Sequence, residues 1–169
     1  MKAIVYEKYG SPDVLQLREV EKPAPKDNEV LVKVNAASIN DWDWGLLRGQ
    51  PFVNRLFNGL SKPKIRILGA DIAGRVEAVG KNVKQFKPGD EVFGDLCESG
   101  WGGFAEYVCA HEKAIALKPA NLTFEQAAST PQAALLALQG FYKTQIRPGQ
   151  KILINGAGGG AGTFAIQYG

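Results

Sequence analysis

The chain has 169 residues, a formal net charge of +3, 45% hydrophobic and 22% charged residues, a globular composition for one domain or one and a fraction. Acidic and basic residues are interleaved, which argues against a nucleic-acid role on charge alone, and no run of 18 apolar residues exists to span a membrane as a helix. Two cysteines, Cys97 and Cys109, and a start at Met1–Lys8 without the apolar core of a signal peptide read as small buried thiols in a cytoplasmic protein.

The first 120 residues read as strands. Lys2 to Tyr6 and Leu15 to Val20 alternate on either side of the turn signal Gly10-Ser11-Pro12-Asp13. After the break at Pro23-Ala24-Pro25, the segment Glu29 to Ala37 places Val30, Val32, Val34 and Ala36 on one face. Asn40 to Arg48 has the look of a capped helical turn with Asn40 or Asp41 as N-cap. A loop is expected from Gly49 to Arg66. Its basic cluster, Lys62 to Arg66, is a solvated loop or, alternatively, a phosphate-steering patch.

Leu68 to Gly80 predicts a long strand whose interior glycines suggest bulges or a bend. Phe86 to Phe93 contains a Pro-Gly type II turn that feeds another strand. Gly102 to Cys109 and Ala114 to Leu117 predict two more. Many short strands with Gly/Pro turns imply a small barrel or sandwich. At Thr123 the period changes from two to 3.6. Thr123-Phe124-Glu125-Gln126 is a capping box, Pro131 opens a second helix at its first position, and Arg147-Pro148-Gly149-Gln150 turns the chain toward Lys151. The boundary between a β part, 1–121, and an α/β part, 122–169, falls near Asn121.

The most informative stretch is the last. A strand is expected at Lys151 to Ile154, then the glycine cluster Asn155 to Gly162, then a helix start. Strand, tight turn and helix N-terminus form a phosphate cradle, because glycines admit a close backbone approach and first-turn N–H groups favour negative charge. The dinucleotide fingerprint fits best as Ala157-x-Gly159-x-x-Gly162, with Ala157, Gly158, Gly159, Gly160, Ala161 and Gly162 as the cofactor-binding set. A flexible glycine linker is the competing reading, and the apolar sequence on both sides disfavours it. The acidic or basic residue that reads the ribose 2′ position lies about 20 residues further on in such folds, beyond Gly169.

Four stretches, Gly69 to Gly80, Phe86 to Val92, Gly103 to Val108 and Asn155 to Gly162, together resemble the medium-chain dehydrogenase/reductase superfamily in motif, order and spacing. The resemblance implies a mainly β fold with some α: a GroES-like, partly open β-barrel followed by the first β-α unit of a Rossmann domain truncated at Gly169. Positions that hold zinc ligands in the zinc alcohol dehydrogenases are Asn40, Ala70-Asp71 and Pro131 here, which cannot form a three-ligand N/S site. His111, the sole histidine, reads as structural or exposed. No metal is expected.

The zinc-independent branch that the chain is similar to contains NADPH:quinone and enone reductases. That similarity implies NADPH as cofactor, with NADH not excluded, and a small quinone or α,β-unsaturated carbonyl as substrate. Asn40 and Asp43 are the catalytic candidates. The Asn40 amide would reach the nicotinamide ribose or the substrate carbonyl, or else it is only an N-cap. Trp42 and Trp44 would wall a flat substrate or else pack in the core. A tyrosine and a threonine frequent in relatives are missing, the first from the loop Gly49 to Val53 and the second replaced by Leu136. Relatives often form homodimers through the nucleotide domain. The competing class is a stand-alone GroES-like binding or assembly module, or an inactive truncation product. The chain alone is expected to be inactive.

Overall fold

The computed structural model describes residues 1–169. Seven strands and five helices follow the order β1 (Lys2–Val5), β2 (Gln16–Glu19), β3 (Glu29–Ala37), α1 (Asp41–Arg48), α2 (Val53–Asn58), β4 (Asp71–Val79), β5 (Glu91–Asp95), β6 (Tyr107–His111), β7 (Ile115–Leu117), α3 (Phe124–Ala128), α4 (Pro131–Thr144) and α5 (Gly160–Tyr168). The expected combination of a β part followed by helices forms, but the architecture is mixed β/α and not mainly β, because α1 and α2 lie between β3 and β4 and α3 to α5 end the chain.

β1 and β2 make a two-stranded ribbon. The other five strands form one antiparallel sheet in the order β6-β3-β4-β5-β7. Isolated bridges, Ala3 with Ala105 and Val5 with Ile67, stitch the ribbon to the larger sheet's connecting segments. β6 and β7 occupy opposite edges, yet only Glu112–Ala114 link them. Across a flat sheet those edges would lie about 19 Å apart, while the link reaches roughly 14 Å even when extended. The sheet must therefore curl until its edges approach, without closing its hydrogen-bond ladder. This is the partly open barrel that the motifs suggest.

The curled sheet encloses Val30, Val32, Ile72, Val76, Phe86, Val92, Leu96, Val108, Ala110 and Ile115. A second cluster, Tyr6, Leu46, Leu47, Leu68, Ala70 and Trp101, lies where α1 packs beside the ribbon. The first four residues of β4 are buried on both faces, because α3 covers the outer one through Ala127 and Ala128 against Ala73. The Thr123 capping box forms as read: the Thr123 N–H donates to Gln126 Oε1 at 3.0 Å and the Gln126 N–H to Thr123 Oγ1 at 3.2 Å. The junction before it is held by Lys118, whose side chain is 5% exposed. Its ammonium contacts Glu91 Oε2 at 3.1 Å and donates to the Leu122 carbonyl at 2.6 Å.

Three further expectations need correction. The segment Lys151 to Ile154 is not a strand, because no other strand lies beside it to complete a ladder and Leu153 is 94% exposed. The loop Gly49 to Arg66 contains α2. Buried Asn58 organises the rest of that loop: its Oδ1 accepts from the Lys64 and Ile65 N–H groups, and its Nδ2 donates to the Tyr6 hydroxyl at 3.0 Å. The strand expected from Gly102 starts only at Tyr107, since Gly100, Trp101 and Gly102 all have positive φ, which breaks any extended run. The Pro-Gly turn is as predicted, with Gly89 at φ 95° and the Asp90 N–H donating to the Lys87 carbonyl at 3.2 Å.

The one glycine inside β4, Gly74, marks a close approach to β3 beside a register shift, as expected. A Cβ on Gly74 would lie 2.2 Å from the Lys33 carbonyl oxygen, whereas one on Gly140, mid-way along α4, would meet nothing within 4 Å. Gly74→Ala is therefore expected to destabilise the fold by about 2 kcal/mol. Gly140→Ala is expected to stabilise it by about 0.5–1 kcal/mol. Urea denaturation of the two variants beside the parent protein checks both signs, and a neutral Gly74→Ala would contradict this packing.

Candidate active site and nucleotide cradle

Two halves of a site arise from different parts of the chain. The first is the polar cluster where β3 leads into α1. Asn40 is the N-cap of α1, with extended backbone at φ −116° and ψ 166°. Its N–H donates to Asp43 Oδ2 at 2.8 Å, the carboxylate arm of a capping box. Asp43 Oδ1 accepts from the Gly69 N–H at 2.8 Å. With 2% exposure and both oxygens on backbone N–H groups, Asp43 clamps α1 to the segment entering β4. Burial raises its carboxyl above the ordinary range, against those backbone bonds.

Asn40 itself is half-buried, and Asp71 fixes its amide. Asn40 Nδ2 donates to Asp71 Oδ2 at 3.2 Å and approaches Ser38 Oγ at 3.4 Å. The same Asp71 oxygen accepts the N–H of Gln132 at 3.0 Å, in the first turn of α4. Asp71 is fully buried, and its Oδ1 has no hydrogen-bond partner. Burial pushes its carboxyl up to about 6, with the neighbouring Asp95 and Asp43 charges adding to this and the Gln132 N–H and Asn40 amide opposing it. Gln132 Nε2 also reaches Cys97 Sγ at 3.5 Å. Burial raises both thiols, Cys97 strongly and Cys109 to about 11, so neither is a reactive nucleophile. No three His, Cys, Asp or Glu side chains converge in a metal-ligating group. His111 ends β6, where its Nδ1 accepts the Lys113 N–H at 3.2 Å.

The second half is the glycine turn. Gly156 has φ 78°, the Gly159 N–H donates to the Gly156 carbonyl at 3.1 Å, and Gly159 caps α5. The first bond into the helix runs from the Thr163 N–H to the Gly159 carbonyl at 3.0 Å. The N–H groups of Gly160, Ala161 and Gly162 precede it and have no intrahelical acceptor. A Cβ on Gly162 would lie 2.5 Å from the Gly156 oxygen and 2.6 Å from Ala157 Cα. The third position of the fingerprint thus requires glycine, the close turn-to-helix packing that this motif needs. The residues present fit a nucleotide pyrophosphate.

α4 joins the two halves. A Cβ on Gly160 would lie 3.3 Å from Ala133 Cβ, and Ala133 directly follows Gln132, whose N–H is on Asp71. The path Asn40, Asp71, Gln132–Ala133, Gly160 runs from the polar cluster to the cradle. The sequence reading missed Asp71 and Gln132 as site residues. The signal available was an acidic residue in an otherwise apolar strand, facing a helix start with no acid of its own in the first turn. Trp42 and Trp44 are not core residues; they are 54% and 45% exposed. Leu136 is half exposed on α4.

Residues 26–120 match the model of the alcohol dehydrogenase GroES-like domain. The chain belongs to this family. Across 99% of its length the GroES-like chain is 40% identical to the 2-methylene-furan-3-one reductase of Solanum lycopersicum and 38% identical to the chloroplastic NADPH-dependent alkenal/one oxidoreductase of Arabidopsis thaliana, covering 43% and 44% of those proteins. It superimposes on the quinone oxidoreductase of Coxiella burnetii with a TM-score of 0.89 at 38% identity, covering 99% of this chain and 52% of that one. The chain thus spans about half the length of these relatives. The resemblance to the quinone and alkenal oxidoreductases is homology. No helix is long and apolar enough to cross a membrane.

The raised Asp71 pKa has a defined consequence for stability. The folded state holds this proton more tightly than the unfolded chain, whose carboxyl titrates near 3.8. The contribution favours folding below about pH 4 and is lost as the pH rises through about 6. Asp71→Asn retains an acceptor for Asn40 and Gln132 without the charge. Its stability relative to the parent is expected to improve by about 2 kcal/mol between pH 4 and pH 7. Urea melts across that range test this, and a pH-independent difference would assign the burial cost elsewhere.

Proposed function

We propose that this chain is the substrate-side half and the cofactor threshold of a zinc-independent oxidoreductase. The reaction proposed is hydride transfer from NADPH to a quinone or an α,β-unsaturated carbonyl. The observation that supports it most is the connection of Asn40 to the Gly160 cradle through Asp71 and the first turn of α4. A capping asparagine alone would need no such tie. The names of the relatives add the substrate class and, for one, the cofactor. The proposed division is a GroES-like part, 1–121, and the start of the nucleotide-binding part, 122–169.

In this reading Gly160, Ala161 and Gly162 take the pyrophosphate on their N–H groups, with Gly156, Ala157, Gly158 and Gly159 shaping the turn. When bound, the nicotinamide supplies the hydride. Asn40 presents a donor, already aimed by Asp71, to the nicotinamide ribose or the substrate carbonyl. Asp43 acts at one remove, holding the N-cap of α1 in place, so we assign it a positioning role. The exposed face of Trp42 is suited to a flat, apolar substrate. The protein's contribution is then orientation and a dry cleft between two parts of the polypeptide. The cytoplasmic location read from the sequence is part of the same proposal.

The test uses a polypeptide that carries this chain together with a nucleotide-binding region, in keeping with relatives about twice its length. NADPH oxidation followed by absorbance is expected with a benzoquinone or an enone. Asn40→Ala is expected to lower kcat/KM by about 10- to 100-fold, the loss of about 1.4–2.7 kcal/mol of hydrogen bonding. Gly162→Val is expected to abolish NADPH binding. The 169-residue chain alone should turn over neither substrate. Full activity in Asn40→Ala would remove Asn40 from the site, and NADPH binding by Gly162→Val would remove the cradle.

A further inference from the structure

At the C-terminal end of α1, away from its Asn40 cap, lies a cavity of about 540 Å³ with a different chemistry. Its lining includes Tyr9, Ser11, Trp44, Arg48, Gln50 and Arg55, and no acidic residue. Arg55 is half-buried. Its Nε donates to the Gly49 carbonyl at 3.2 Å and its guanidinium lies over the Tyr9 ring at 4.6 Å. The Tyr9 hydroxyl is anchored in turn to the Gly59 carbonyl at 2.6 Å. Arg48 lies over Trp44 at 5.2 Å. Neither arginine has a carboxylate partner. The one acid near the rim, Asp13, takes the Ser11 hydroxyl at 2.8 Å.

Both arginines also occupy the last turns of their helices, where a cation offsets the helix dipole. That accounts for one positive charge at each helix end and leaves open why both face one acid-free cavity. A half-buried guanidinium normally finds a counter-charge. Here Arg55 is held rigid by one nitrogen and an aromatic face, and its two terminal NH₂ groups have no protein acceptor. Fixed guanidinium forks with free N–H groups match the oxygens of phosphate and carboxylate.

We propose that this cavity binds a doubly charged oxyanion of the phosphate type, held between Arg48 and Arg55. Two cations facing one acid-free cavity call for a dianion: Arg55 is fixed on the Gly49 carbonyl and the Tyr9 ring, and Arg48, exposed over the Trp44 ring, supplies the second charge. Arg48 ends the helix that Asn40 caps, so this site lies about 12 Å along α1 from the proposed catalytic amide. It is independent of the nucleotide cradle.

Isothermal titration of the full chain with inorganic phosphate tests this, beside succinate and beside sodium chloride at matched ionic strength. Saturable phosphate binding with a dissociation constant of about 1 mM or lower is expected, with succinate at least about fivefold weaker and no saturable response to chloride. Arg48→Gln and Arg55→Gln are each expected to weaken phosphate binding about tenfold. Arg55→Lys, which keeps the charge and loses the fork, should fall between. Arg48 is exposed and makes no hydrogen bond, so its variant reads binding without a folding complication; melting curves verify the fold of the others. Absence of saturable phosphate binding overturns the proposal. So does binding that Arg48→Gln leaves unchanged, or a succinate affinity equal to that of phosphate.

Discussion

One carboxylate oxygen receives two donors from opposite ends of the chain's architecture. Asp71 Oδ2 accepts the side-chain amide of Asn40, the cap of α1, and the backbone N–H of Gln132, in the first turn of α4. Backbone N–H groups at a helix start need acceptors from outside the helix. α4 has neither an acid in its first turn nor a side-chain cap bond at Thr130. Asp71 supplies what is missing from 61 residues away. The position of α4 relative to the sheet therefore depends on a charge buried at the head of β4.

That burial carries a cost which the surrounding structure must offset. Both faces of β4 are covered at this point, by the barrel core on one side and α3 on the other, so Asp71 Oδ1 finds no donor. An apolar residue there would pack with less penalty. It would leave Gln132 N–H and the Asn40 amide without their common acceptor. The arrangement is intelligible as a constraint on orientation: Asn40 is aimed, and α4 is set at a fixed place against which α5 rests through Gly160 and Ala133. Asp43 serves the same end more cheaply, with each oxygen on a backbone N–H.

Much of this was legible in the residues, where the physics is local. The Thr123 capping box, the Pro88-Gly89 turn and Asn40 at the head of α1 depend on neighbours within four positions, and each formed as read. The alternating strands were placed to within a few residues for the same reason. What was not legible depends on distant partners. Asp71 reads as a lone acid in a strand, and only the fold brings α4 to it. Asn58 reads as a loop asparagine, yet it joins Tyr6 to the loop segment at Lys64 and Ile65. Trp42 and Trp44 lie two apart on a helix, so at most one could face the core squarely; neither does.

Lys151 to Ile154 illustrates the same distinction from the other side. Its composition is that of a buried strand, and the glycine turn after it folds with the expected close contacts between Gly162 and Gly156. The turn and α5 need only each other and α4, where Phe141 also stacks on Tyr168 with ring centroids 5.1 Å apart. A strand needs a neighbour, because its N–H and C=O groups are satisfied only by another strand. With none beside it in residues 1–169, the segment stays unpaired, and Leu153 faces solvent. Helical half-motifs can form from local contacts, whereas a parallel strand exists only as part of a sheet.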